Sequence, residues 1–269
     1  MMCSDSKTPH IQTQEGVVYL HNAKEFDAMR KAGRLAASVL DYITPFVQPG
    51  ITTNRLDELC ETFIRDHGAV PAPLGYKGYP KSICTSLNHV VCHGIPNDKP
   101  LLSTDILNVD VTVILDGWHG DTSRMFVLEP VPPIAQDLVQ TTKQALEGAI
   151  ALVKPGAFLG DIGFFIENLA RKKGFSVVRD YCGHGIGRQF HCAPSVLHVG
   201  HRNTGLQLQE GMIFTIEPML NVGKADTKTL QDGWTVVTKD KKLSAQFEHT
   251  VGVTKDGVEI FTTCTPDQA

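Results

Sequence analysis

Residues 105–126 read DILNVDVTVILDGWHGDTSRMF. Ile106, Val109, Val111, Val113 and Leu115 are strand formers that run into Asp116-Gly117, a two-residue hairpin signal, and a second extended run begins at Trp118. With Asp116 and Gly117 as the loop, Leu115 opposes Trp118, Asp110 opposes Ser123 and Thr112 opposes Asp121. Both aspartates then face the same side as diagonal neighbours, with roughly 7 Å between their Cβ atoms, so both carboxylates can reach one ion. Asp110 stands in an otherwise apolar strand, where an unpaired carboxylate costs several kcal/mol unless it is paired or ligates a metal. The plainer alternative is an aspartate on a solvated strand face. The hairpin alone leaves both readings open, and partners elsewhere must decide.

The chain has 269 residues, enough for one large domain or two tightly joined halves. It is 42% hydrophobic and 20% charged, ordinary for a globular protein, and its 25 basic against 29 acidic residues give a net charge of −4. Such a balance supplies no field to recruit nucleic acid, and Lys172-Lys173 and Lys241-Lys242 read as solvated faces. Seven cysteines without a CxxC pair are neither a disulfide framework nor a zinc ribbon. No signal core or membrane-length apolar run is present, so the expected setting is reducing and cytoplasmic.

Asn22 with Glu25 three residues on is a capping-box start, and Phe26, Met29, Gly33, Ala36, Leu40, Ile43 and Val47 follow at helical spacing. A second helix is expected from about Thr53 to His67, with Gly68 as its stop. The pattern then returns at an offset of 106: Val47-Gln48-Pro49-Gly50 matches Val153-Lys154-Pro155-Gly156, and Leu56, Glu61, Arg65 and Gly68 meet Ile162, Glu167, Arg171 and Gly174. A helix at about 138–152 completes the second copy. With one insertion LLSTDILNVD (101–110) aligns with LQEGMIFTIE (208–217), which puts Glu217 opposite Asp110. Each half also holds an Asp-Gly-Trp turn, at 116–118 and 232–234. The reading is an α+β fold of two pseudo-twofold halves, 22–130 and 131–262, each with two helices and antiparallel strands around a central cleft, between tails at 1–21 and 263–269.

The second half carries acids between strand formers in Phe214–Pro218 and Ala245–Val251. Four carboxylates, Asp110, Asp121, Glu217 and Glu248, are therefore available from the two halves, and Gly183-His184-Gly185-Ile186-Gly187 adds an imidazole with closely folded backbone. Two divalent ions would balance the four negative charges. Oxygen ligands with one imidazole favour manganese, iron, cobalt or zinc in an open site. Buried charge of this kind is seldom kept for stability.

At this point the sequence resembles the type I methionine aminopeptidases, which have the "pita-bread" fold. The resemblance covers residues 22–262 and rests on GYKGYPKSICTSLNHVVCHGIP (75–96), NVDVTVILDGWHGDTSRMF (108–126), YCGHGIGRQFH (181–191), GMIFTIEP (211–218) and SAQFEHTVGV (244–253). It implies that Asp110, Asp121, His184, Glu217 and Glu248 bind two divalent ions, with Asp121 and Glu248 bridging. It implies that His93 and His191 contact substrate and that Tyr76, Tyr79, Cys84, Phe190 and Trp234 form the methionine pocket. The expected activity is removal of the N-terminal methionine from nascent proteins. A metal-activated hydroxide would attack the first peptide carbonyl with Glu217 moving the proton, chemistry for which aminopeptidases are themselves a standard example. A monomer is expected, and the ribosome near its exit tunnel is the candidate partner. Pro73 departs from many bacterial members, which have cysteine there, and bears on the shape of the pocket.

The rival reading is a non-catalytic relative of the same fold that binds ribosome or RNA; such a module would be expected to have lost ligands. A phosphate loop at GHGIG lacks its third glycine, because Arg188 stands there. Cys92-His93 and His191-Cys192 are strand neighbours pointing to opposite faces, so neither is a nucleophile-base pair. Xaa-Pro peptidases share the metal set but carry an extra N-terminal domain, for which about 20 residues leave no room, and type II methionine aminopeptidases carry a helical insertion. His89, His119, His198, His201 and His249 receive no role.

Overall fold

The hairpin at 105–126 forms in the register its sequence predicts. In the computed structural model, which describes residues 8–264, Ile106–Leu115 and Trp118–Val127 pair antiparallel from Ile106↔Val127 to Leu115↔Trp118, with Asp110 opposite Ser123 and Thr112 opposite Asp121. The two loop residues Asp116 and Gly117 both take positive φ, 51° and 78°, the conformation whose twist suits a two-residue hairpin. Cys84–Leu87 and Val70–Pro71 pair along the other edge of Ile106–Leu115.

Helix α1 (Ala23–Ile43) lies across this hairpin. Its start is the capping box read from sequence: Asn22 Oδ1 accepts from the amides of Lys24 and Glu25, and Glu25 Oε2 accepts from the Asn22 amide at 2.8 Å. Helix and strand touch backbone to backbone at Gly120, where a Cβ would stand 2.3 Å from the carbonyl of Ala32. Helix α2 (Thr53–Asp66) starts on the Thr52 side chain and packs beside α1. Leu40, Ile43, Leu56 and Ile64 close over Leu107, Val109, Val111 and Val113 as one core, all nearly free of solvent contact. Helices α3 (Pro133–Ile150) and α4 (Leu159–Lys172) build a second core, in which Leu138, Ile166, Phe214, Ile216 and Val251 are buried.

Local conformation repeats between the halves. Gly68 and Gly174, 106 apart, end α2 and α4 at φ 73° and 81°, and the isolated bridges Thr52↔Pro100 and Phe158↔Gln207 precede the two helices in the same way. The Asp-Gly-Trp turns are not equivalent. At 116–118 the turn closes the main hairpin, whereas 232–234 lies in the loop of an inserted hairpin, Thr227–Thr229 with Val236–Thr238. This inserted hairpin reaches across to pair with Val90–Cys92 of the first half.

Two expectations need correction. Phe214–Pro218 and Ala245–Val251 are not continuous strands: Ile213–Ile216 pairs with His249–Val253, Met219–Asn221 pairs with Ser244–Gln246, and the ladder is broken between them at Glu217-Pro218 and Phe247-Glu248. Pro218 has no N–H to offer. The Glu248 backbone turns to the other half, its amide donating to Ser123 O at 3.2 Å and its carbonyl accepting from the Ser123 amide at 3.4 Å. Residues 8–21, expected as part of a polar tail, include a small hairpin of His10–Gln12 with Val17–Tyr19, because Val18 is 2% exposed in the second core. Residues 1–7 and 265–269, the remaining parts of the expected tails, lie outside the described residues.

Candidate active site

The register of the main hairpin places Asp110 and Asp121 on neighbouring strands, and Asp121 is held by the residue opposite it. Thr112 Oγ1 donates to Asp121 Oδ1 at 2.7 Å. Glu217, freed from the ladder at the strand break, accepts from Thr215 Oγ1 at 2.9 Å on Oε1 and from Gln246 Nε2 at 3.2 Å on Oε2, while its amide donates to His198 Nε2 at 3.3 Å. Glu248 is anchored by its backbone, with Thr122 Oγ1 adding a 2.7 Å bond to its carbonyl.

His184 sits on the short strand Gly183–Gly185. A Cβ on either glycine would stand 2.2 Å or less from a neighbouring carbonyl oxygen, so the strands on both sides can approach only because side chains are absent there. The His184 amide donates to Thr215 Oγ1 at 3.0 Å and Nδ1 lies 3.1 Å from Gly185 O. A carbonyl can only accept, so the ring proton is on Nδ1 and the Nε2 lone pair is left toward the acids. Nε2 lies 3.7 Å from both Asp121 Oδ2 and Glu217 Oε1. Ligand atoms of Asp121, His184 and Glu248 all lie within 4.8 Å of one another. Asp110 lines the same cavity outside that three-residue set.

Every residue singled out above as a ligand, proton mover or substrate contact lines one cavity of about 400 Å³. A larger cavity of about 980 Å³ on the outer face of α4, between Phe164, Phe165 and Lys154, holds none of them. The acids shape the electrostatics. Burial pushes the Asp110 carboxyl up to about 7. Burial together with the charge of the neighbouring carboxylates raises Asp121, Glu217 and Glu248 well above the usual range. Burial lowers His184 and His93 to about 4, and lowers His191 to about 3 with the help of the adjacent rings. Four carboxylates that cannot all ionise side by side, faced by a bare imidazole nitrogen, are a donor set that fits divalent cations.

The far wall is aromatic. Tyr79 and Trp234 meet edge to face at 5.1 Å, and the Tyr79 hydroxyl is turned away to the carbonyls of Ile83 and Gly94, both at 3.0 Å. Cys84 stands opposite Asp110 in register, with its thiol held neutral by burial and the nearby acid. His93 takes φ 56°, unusual for a residue with a side chain, and packs edge to face on Tyr181 and Trp234. His191 lies between Phe190 and Tyr76, with ring centroids at 4.1 and 5.4 Å. Pro73 is on the same wall.

Sequence reading overlooked Thr112, Thr215 and Gln246, which hold the acids, and Lys77, Cys92, Asp180, Tyr181 and Cys182, which complete the lining. A signal for the first three was present: each lies two residues from an acid and so on the same strand face, Asp110/Thr112, Thr215/Glu217 and Gln246/Glu248.

This architecture of two acid-bearing halves closing on one cluster defines a class. The chain belongs to metallopeptidase family M24, whose sequence profile matches residues 27–255. Relatives within the family include methionine aminopeptidases. It is 61% identical over 246 residues to the methionine aminopeptidase of Rickettsia prowazekii, covering 91% of this chain and 95% of the relative. It is 52% identical over 247 residues to that of Escherichia coli K12, covering 91% and 94%. The crystal structure of the Rickettsia prowazekii enzyme superposes with a TM-score of 0.90 over 91% of this chain and all of that one. A prolidase from Pyrococcus horikoshii, 19% identical, matches with a TM-score of 0.73 over 93% of this chain and 65% of its own, and shares the fold.

Proposed function

We propose that this chain is a methionyl aminopeptidase that removes the initiator methionine from nascent polypeptides with two divalent ions. The observation that carries the reading is the convergence, from both halves, of four carboxylates and one imidazole on a cavity whose next wall is Tyr79, Trp234 and Cys84. Asp110, Asp121, His184, Glu217 and Glu248 would hold the ions. When bound, the ions supply Lewis-acid polarisation of the carbonyl and a water acidic enough to attack at neutral pH, as is general for two-metal peptidases, aminopeptidases among them.

The chain's own groups do the rest. Glu217 is fixed on both oxygens by Thr215 and Gln246 and is placed to take the proton of the attacking water and return it to the departing amine. Neutral His93 and His191 offer N–H donors to the carbonyl oxygen and the scissile amide as charge develops, a contribution of about 3–4 kcal/mol per preorganised donor. The aromatic edges and the Cys84 thiol form a wall suited to a flexible thioether, worth roughly 0.3–1.5 kcal/mol per sulfur–aromatic contact.

The six cysteines among the described residues are all free, in keeping with a reducing cytoplasm. No helix among them is long and apolar enough to cross a membrane. One chain supplies every group of the site, which suits a monomer. The rival non-catalytic module has nothing to recommend it, since no ligand position has been lost. The test is release of free methionine from Met-Ala-Ser after chelation and re-addition of manganese, iron, cobalt or zinc in turn. No methionine with any of the four refutes the assignment.

A further inference from the structure

His191 makes a single hydrogen bond among the described residues, and it is to Tyr76. The phenol oxygen lies 3.1 Å from Nδ1. Tyr76 is delivered to that position by a turn in which Gly75, Lys77 and Gly78 all take positive φ, 80°, 47° and 86°. That conformation is uncommon for a lysine. The Tyr76 ring packs on Phe190 at 4.9 Å and lies nearly parallel to His191, 27° apart.

At pH 7.5 an imidazole, whose ordinary pKa is about 6.5, is neutral for the most part, and the rings of Phe190, Tyr76 and His184 lie against that of His191. A neutral imidazole has one N–H and one bare nitrogen, and the partner of one nitrogen decides which is which. A phenol is a better donor than acceptor, and a bare imidazole nitrogen is a better acceptor than a phenol oxygen. Tyr76 Oη–H therefore donates to Nδ1, and the ring proton stands on Nε2. The neighbouring ring is set the other way. His184 Nδ1 faces the Gly185 carbonyl at 3.1 Å, which fixes its proton there and leaves Nε2 bare toward Asp121 and Glu217. Two imidazoles with centroids 4.2 Å apart thus carry opposite tautomers, one offering a lone pair and the other an N–H.

We infer that Tyr76, beyond lining the side-chain pocket, is a positioning residue whose hydroxyl fixes His191 as the Nε2–H tautomer, so that this ring meets the substrate as a donor. The catalytic consequence rests on the aminopeptidase reading; the tautomer assignment does not.

The test is Y76F, which keeps the ring and removes the hydroxyl. Ring-nitrogen NMR of the histidines at pH 7.5, in metal-free and zinc-loaded protein, reads the tautomer directly, with the His191 signals assigned by their loss in H191N. Wild-type protein is expected to show protonated Nε2 and bare Nδ1 at His191, and Y76F to shift toward the other tautomer. Turnover of Met-Ala-Ser is expected to lose about tenfold in kcat with KM changed less than twofold. Protonated Nδ1 in the wild type, or identical His191 signals in the two proteins, overturns the proposal. A switched tautomer with unchanged kcat overturns the catalytic consequence. The expected tautomers in a protein that releases no methionine at all would uphold the assignment and sink the aminopeptidase reading instead.

Discussion

His198 makes the pH dependence of folding measurable at one position. It is 1% exposed, its Nε2 accepts the Glu217 amide, and burial holds its pKa down to about 3, against 6.5 for the free side chain. The folded state therefore binds fewer protons than the unfolded one below pH 6.5. The stability this neutral ring represents is complete above pH 6.5 and is lost as pH falls toward 3. The slope is about 1.4 kcal/mol per pH unit, so lowering the pH from 6.5 to 5 costs about 2 kcal/mol at this site. His93, His184, His191 and His249 are lowered in the same direction and add to the acid sensitivity. The raised carboxyls of Asp110 and its neighbours act oppositely, losing stability as pH rises, so the total slope is mixed. The substitution H198Q removes one contribution and leaves the others: glutamine keeps an acceptor for the Glu217 amide and does not titrate. Urea unfolding of metal-free wild type and variant at pH 7.5, 6.5, 5.8 and 5 gives the comparison. The gap between them should narrow by about 2 kcal/mol as pH falls from 6.5 to 5, and parallel curves would refute the reasoning.

Four further outcomes are expected. Asp121→Asn should leave circular dichroism unchanged and abolish methionine release, since the carboxylate lies within reach of both His184 and Glu248; retained turnover removes Asp121 from the site. His93→Ala should lower kcat by about 10²–10³ through loss of one preorganised donor while metal content by mass spectrometry is unchanged, and loss of metal would make His93 a ligand. Gly120→Ala should lower stability by about 1–3 kcal/mol, because its Cβ would stand 2.3 Å from the Ala32 carbonyl; an unchanged thermal midpoint means that α1 does not press on the hairpin. Chelation should lower the thermal midpoint at pH 7.5 as the acids are left to repel one another, with manganese restoring it, and a midpoint indifferent to chelator denies that these acids bind the ions.

The main hairpin was legible to the residue because alternation and a two-residue turn leave one register, and a shift by one would have put Asp110 on the opposite face. The capping box at Asn22 was equally local. Helix α3 starts at Pro133 rather than near 138, since proline fits the first turn of a helix and the apolar period had not yet begun there. What stayed hidden depended on distant partners. Nothing near Glu248 announces that its backbone pairs with Ser123, and nothing in Asp232-Gly233-Trp234 says that this turn rides on an inserted hairpin bound to Val90–Cys92. Of the site, the acids stood out as charges among apolar neighbours, whereas Thr215 and Gln246 are ordinary polar residues whose roles emerge only from contacts.

The bridge between Ser123 and Glu248 welds one acid's main chain to the strand that carries another, two residues from Asp121. Neither carboxylate can then drift without dragging its counterpart from the opposite half. The spacing of the acids is accordingly a property of a single seam, and selection acting on any metal preference would have to work through side-chain length and the surrounding hydroxyls instead of through swinging the lobes apart.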